Sequence, residues 1–353
     1  MRIRPLLALC GVAVLASVAV ACGDDDSTTS PSAPSTAGDT TTRSTGDIAT
    51  DATTAGSGVT YPLTVTHAYG TSTFPARPER VVTLGYGDED PVAALGVTPV
   101  GALDYDSGSL SPWLTEALGD AAADVTTIDT VDGIPYEQVA GLTPDAIFVM
   151  GNDVSPEDYE LLSAIAPTIP YQTESFLDPW PDVTRTIGEV LGDPAAADGL
   201  IAAVDERIAT TAGGHPEWKG ATFAVAVVFG PDEFGVLVSP EENTVRLMTD
   251  LGFELAPSVA ALPLGETGFS AFIGPEELGV LDADLLILRA ATVEDERYLT
   301  DNPVFAALPA VQAGQVHWAT NDEWLSLRVP SVLAVPYTLD QLVPVLEEMV
   351  PAG

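Results

Sequence analysis

The chain has 353 residues, with 12 Lys and Arg against 52 Asp and Glu and a formal net charge of −40. That balance excludes an electrostatic nucleic-acid binder, which needs clustered Lys and Arg, and it makes an anionic membrane surface repulsive. Hydrophobic residues are 46% of the total, enough for a sizeable core, and the length suggests two domains. Cys10 and Cys22 are the only cysteines, so beyond residue 22 there is no disulfide framework, thiolate metal site or cysteine nucleophile. His67, His215 and His317 are scattered and form no HxxH or HExxH spacing.

Arg2 and Arg4 precede an apolar or small-residue run over 6–21. A charged start and a short apolar run ending in small residues describe an export signal over 1–21. The run is short for a membrane span, which needs about 20 residues. It closes as AVACG at 19–23 and resembles a bacterial lipobox, in which Cys22 is diacylated and becomes the mature N-terminus. Seventeen of the 38 residues from 23 to 60 are Ser or Thr. Such a stretch buries too little apolar surface to order itself, so 22–60 reads as a lipidated Cys followed by a disordered tether. These features predict a body held by lipid on the extracytoplasmic face of the cell membrane.

From residue 61 short β-branched runs alternate with helical periodicity. Strands are expected at 63–67, 80–84, 98–103, 145–150, 168–171, 221–229, 284–290 and 315–319. Helices are expected at 88–95, 136–140, 156–165, 181–191, 242–251, 276–281 and 331–349. The alternation predicts α/β architecture with mostly parallel sheets, and the continuous apolar strands suggest sheets covered on both faces. One helix, 193–213, stands apart. Asp193 can cap it, Pro194 suits its first position, and Leu200, Ile201, Val204 and Ile208 share a stripe. It separates an N-terminal lobe, 61–192, from a C-terminal lobe, 214–353.

Several segments resemble, in order, the solute-binding components of ABC importers for ferric siderophores, haem and cobalamin. They are PERVVTL at 78–84, AALGVTPVG at 93–101, YEQVAGLTPDAI at 136–147, IAPTI at 165–169, IGEVLG at 187–192, PEEL with LDADLLI between 275 and 287, and LPAVQAGQV at 308–316. Each alone is weak; together they span most of residues 75–349. The resemblance implies two α/β lobes joined by one long helix, a class III periplasmic-binding-protein-like fold. It further implies capture of a ferric siderophore, delivery to a membrane permease and its ATPase, no catalysis and a monomer. The cargo is then ferric iron inside its siderophore, with no intrinsic cofactor and no protein metal ligands.

In open α/β lobes ligands bind outside the carboxyl ends of the strands. That rule selects Tyr86 after the second expected strand, Asn152 after the fourth, Arg289 at the end of the seventh, and Trp324 and Arg328 after the last. A siderophore surrounds its iron with its own oxygens, so the protein needs aromatic walls and a few donors. Arg289 and Arg328 are the expected donors, since a guanidinium makes charge-assisted bonds to such oxygens. Tyr86 and Trp324 are the expected walls, with Trp180, Phe269 and Phe272 behind them. Purely structural roles stay open: Arg289 could pair with Asp282 or Asp284, and Arg328 with Asp322 or Glu323. The acidic chain favours a neutral or cationic hydroxamate complex over a trianionic triscatecholate.

The family also docks on its permease through one exposed Glu per lobe, which matches Glu137 and Glu276, each expected to open a short helix. Haem, with Tyr86 as axial ligand, or cobalamin are alternative cargoes. A surface sensor or adhesion lipoprotein is the alternative outside transport. An enzyme is disfavoured, because the chain carries no G-x-S-x-G elbow and no G-x-G-x-x-G fingerprint.

Overall fold

The computed structural model describes residues 58–105, 108–173, 178–265 and 268–350. The expected export signal, Cys22 and nearly all of the tether lie outside these residues. The chain opens with a hairpin, β1 (Leu63–His67) and β2 (Gly70–Phe74), whose second strand is absent from the sequence expectation. There follow β3 (Val81–Thr83), α1 (Glu89–Ala94), β4 (Gly101–Leu103), α2 (Pro112–Leu118), β5 (Thr126–Ile128), α3 (Tyr136–Gly141), β6 (Ala146–Val149), α4 (Pro156–Ser163), β7 (Thr168–Pro170) and α5 (Trp180–Val190). The five strands β3 to β7 form one wholly parallel sheet in the order β5-β4-β3-β6-β7.

Successive residues of a strand face opposite sides. Accordingly Val81, Ala146 and Phe148 enter one core, with Ile187 and Val190 of α5. Val82, Ile147 and Val149 enter another, with Val139 of α3 and Leu162 of α4. Helices on both faces are why these strands read as unbroken apolar runs.

α6 (Pro194–Gly214) is the long helix. Its 21 residues make a rod of about 30 Å. The Asp193 carboxylate accepts from the amide of Ala196 at 3.1 Å, and Pro194 occupies the first turn. Ala197, Ile201 and Val204 are buried along one stripe. Gly188 of α5 permits close approach, since a Cβ there would lie 2.4 Å from that of Ala197.

Beyond α6 come β8 (Thr222–Gly230), β9 (Glu233–Leu237), α7 (Asn243–Asp250), β10 (Glu254–Leu255), α8 (Pro257–Ala260), β11 (Ser270–Ile273), β12 (Leu285–Ala290), α9 (Val293–Thr300), α10 (Pro303–Ala306), α11 (Pro309–Ala313), β13 (Val316–Trp318), α12 (Asn321–Arg328) and α13 (Ala334–Met349). The second sheet has the order β11-β9-β8-β12-β13, with β10 also on β8. It is mixed: β10, β8, β12 and β13 run parallel, while β9 folds back antiparallel on β8 and β11 antiparallel on β9. Two expected helices differ. Residues 276–281 form only a 3-10 turn at Leu278–Leu281, so Glu276 does not open an α-helix; Gly274 and Pro275 precede it and Gly279 lies inside it. α13 begins at Ala334, and the turn before it is tied by the Ser331 hydroxyl, which accepts from the amides of Ala334 at 2.9 Å and Leu333 at 3.1 Å.

The two sheets meet where α13 begins. The Ser331 hydroxyl donates to Asp90 at the start of α1. The indole N–H of Trp113 on α2 donates to the same carboxylate at 2.8 Å, and its ring lies 5.2 Å from that of Tyr337 on α13.

Candidate ligand-binding site

The strand registers place four residues in one row across the second sheet. Arg289 on β12 is level with Val227 on β8, Val227 with Gly235 on β9, and Gly235 with Phe272 on β11. Laterally paired residues share a face, so Arg289 and Phe272 project from the same side. That is the face whose deeper part holds Phe223, Val225, Leu285 and Ile287 under α7, α12 and α13. Past the helices it stays uncovered: Phe229 is 62% exposed and Phe272 48%. Gly235 makes their contact possible. A Cβ there would come within 2.7 Å of the Phe229 ring, which instead lies over the glycine with its centroid 5.8 Å from that of Phe272.

The Arg289 guanidinium donates to the Oδ1 atom of Asn321, the first residue of α12. No carboxylate among the described residues lies within 4.0 Å of it, so neither Asp282 nor Asp284 is its partner. Asp284 is used elsewhere, accepting from the backbone N–H and hydroxyl of Thr222 at 2.8 Å. Burial lowers the Arg289 pKa from its ordinary value, with Asp295 opposing. Arg328, at the far end of α12, is committed. It forms an ion pair at 2.5 Å with Glu242, the cap of α7, and its guanidinium lies 5.1 Å from the ring centre of Phe269 and 5.7 Å from that of Trp324. Its partner is therefore neither Asp322 nor Glu323.

The carboxyl ends of the first sheet present Tyr86 and Gly151. The amide of Tyr86 donates to the carbonyl of Gly151 at 3.1 Å, and a Cβ on Gly151 would lie 2.3 Å from the Tyr86 carbonyl oxygen, so the two turns touch only because residue 151 has no side chain. Tyr86 is 41% exposed and meets Tyr105 edge-on, centroids 5.3 Å apart. The two lobes approach here, since a Cβ on Gly87 would lie 3.0 Å from Val329, just beyond Arg328. Asn152 spends its amide internally, donating to the Leu84 carbonyl at 3.0 Å and accepting from the Asp153 amide at 2.8 Å. Trp180, at the start of α5, packs half-buried against the second-lobe core.

Beneath Tyr86 three consecutive acids, Asp88, Glu89 and Asp90, are fully buried. Asp88 accepts from the Met150 amide at 2.7 Å, and Glu89 accepts from the Tyr105 hydroxyl at 2.5 Å. Burial pushes the Asp88 carboxyl up to about 7, and it raises Glu89 and Asp90 as well. No grouping of three or more His, Cys, Asp or Glu suited to a metal ion occurs among the described residues. A separate hollow of about 620 Å³ is lined by Asp129, Asp132 and Asp158 around Tyr136. It offers no cation, and the Tyr136 hydroxyl is given to Asp158.

Residues 80–322 match a sequence family described as periplasmic binding protein. The chain belongs to the periplasmic binding protein family. A Bacillus subtilis relative named as an ABC transporter substrate-binding lipoprotein, YhfQ, is 26% identical over 80% of this chain and 88% of its own. The ferric enterobactin-binding periplasmic protein FepB of Escherichia coli is 28% identical over 73% and 83%. The structure of Streptococcus pneumoniae PiaA in complex with ferrichrome superposes with a TM-score of 0.69 at 25% identity, covering 81% of this chain and 98% of that one. The fold of this periplasmic binding protein is thus the two-domain α/β form of class III.

Sequence reasoning missed Phe229, Tyr105, Glu242 and the acid trio. Phe229 had a signal, since it continues the Phe223, Val225, Val227 alternation to the last residue before the Gly230-Pro231 turn. Glu242 had none, because its partner lies 86 residues away.

Proposed function

We propose that the protein is the extracytoplasmic solute-binding component of an ABC importer, capturing a ferric siderophore and passing it to a membrane permease. The observation that carries this is the row at the carboxyl end of the second sheet, which has a half-buried guanidinium without an ion pair at one end and exposed phenylalanine rings at the other. A siderophore presents a flat or greasy body and a shell of iron-bound oxygens, and those are the two chemistries this row addresses. Relatives named for ferric enterobactin and ferrichrome support the cargo class. The match to binding proteins supports capture without catalysis.

Glu137 and Glu276 are both exposed, Glu137 in the first turn of α3 and Glu276 before the 3-10 turn, and we assign them to permease docking. Cys22 is the proposed lipid attachment, in keeping with the lipoprotein relative. No helix of the described residues is long and apolar enough to cross a membrane.

Tryptophan fluorescence of the purified protein, titrated with ferric hydroxamates, ferric catecholates, haemin, cyanocobalamin and bare Fe³⁺, tests the reading. Saturable quenching by a ferric siderophore, weakened by Arg289→Ala and Phe272→Ala, is the expected result. Saturation by haemin or cyanocobalamin alone would replace the cargo, and silence across the panel, confirmed by calorimetry, would overturn the transport reading.

A further inference from the structure

The candidate site holds two guanidinium groups, and they are not equivalent. Arg289 bonds a neutral amide, so its positive charge is available to a ligand. Arg328 faces Glu242 at 2.5 Å, with the Glu242 side chain only 5% exposed. The second Glu242 oxygen is also occupied, accepting from the amides of Thr244 at 2.8 Å and Val245 at 3.1 Å at the start of α7. The carboxylate is thus fixed in place. The guanidinium is held on its other sides by Phe269 and Trp324. Turning Arg328 toward a ligand would leave a buried carboxylate unpaired, which is strongly unfavourable. Its charge is cancelled where it stands, while its rings still offer apolar wall.

We propose that Glu242 is a specificity-determining residue: by neutralising Arg328 it leaves Arg289 as the one guanidinium of the site without an ion pair, and so selects a neutral or weakly charged ferric complex, of the trishydroxamate kind, over a trianionic triscatecholate. This rests on the ferric siderophore reading above. A trianion would bring three negative charges to one guanidinium in a chain of net charge −40. A neutral complex meets no such penalty, and its iron-bound oxygens still accept hydrogen bonds from Arg289. Relatives named for ferric enterobactin and for ferrichrome show that family membership does not set this choice, so residues of the individual chain must.

The test compares affinities for one ferric trishydroxamate and one ferric triscatecholate in wild type, Glu242→Gln and Glu242→Gln/Arg328→Met. Gln keeps the volume and a cap acceptor for α7 and removes the charge. The wild type is expected to prefer the trishydroxamate by about tenfold or more. In Glu242→Gln the preference should move toward the triscatecholate by about tenfold, and the shift should shrink in high salt. In the double variant, where both charges are gone, the wild-type ratio should return. Each comparison uses the same two ligands, so their difference in shape cancels. A wild-type preference for the triscatecholate, or an unchanged ratio in folded Glu242→Gln, would overturn the proposal. The wild-type preference alone decides if the variant does not fold. Wild type that binds neither complex would overturn the capture reading, and this proposal with it.

Discussion

Gly235 acts through the side chain it lacks. A branched residue there would drive its Cβ atom into the Phe229 ring, 2.7 Å away, and open the aromatic pair with Phe272. Gly235→Val should lower siderophore affinity by about tenfold, the worth of one aromatic contact, while leaving the thermal midpoint nearly unchanged. An unaltered affinity by calorimetry would show that the pair is not a ligand wall. The buried acids Asp88, Glu89 and Asp90 make a second prediction. Their carboxyls hold protons in the folded protein at pH values where the unfolded chain has released them, since burial raises all three. The stability contributed by Asp88 and Asp90 is whole below about pH 4 and is lost as pH climbs through about 7, and Glu89, also raised, acts in the same direction. Thermal unfolding should therefore occur at higher temperature near about pH 5 than near about pH 8, and Asp90→Asn should flatten that dependence. A midpoint that rises with pH over this range would contradict the assignment. At this scale the strand-end positions of Arg289, Tyr86 and Trp324 were legible, because each follows a strand that could be read; their binding roles are proposals. The sequence did not disclose that Arg328 is spent on Glu242, because that pairing depends on two distant helix ends converging.

Among the elements, α6 was the most legible. Its cap, its first-turn proline and its apolar stripe are local signals, and all act as such in the structure. Asp193→Ala should cost about 1 kcal/mol, measurable by denaturant titration; a change below a few tenths would mean the cap contributes nothing. Most of the parallel strands were legible too, since burial on both faces leaves an unbroken apolar run; β5 and β10, short and partly polar, were not expected. β9 and β11 were not, although they carry half of the site row. β9 is broken by Gly235 and β11 holds four residues, so neither shows a clear period, and the row exists only through their register with β8. The expected helix at 276–281 failed for a related reason: periodicity suggested a turn of helix, but Gly and Pro at its start leave room for a 3-10 turn only. Glu276 remains exposed there, so its proposed docking role does not depend on a helix.

For the whole molecule, composition excluded nucleic-acid binding but could not locate a site, because a net charge of −40 is an average. The proposed site rests on a guanidinium without an ion pair in the same row as exposed rings, an arrangement that no count of residues reveals. The contacts at the start of α13 join the two lobes through Asp90, Ser331 and Trp113, close to the turns that carry Tyr86 and Gly151. The first lobe thus brings Tyr86 to the seam where the second brings Arg328. Crystals grown with a ferric siderophore, measured at the iron absorption edge, test this account most directly. A single iron peak within reach of Arg289, over the row that ends at Phe272, is the predicted result. An iron peak in the acidic hollow of Asp129, Asp132 and Asp158, or ligand bound away from Arg289, would contradict it.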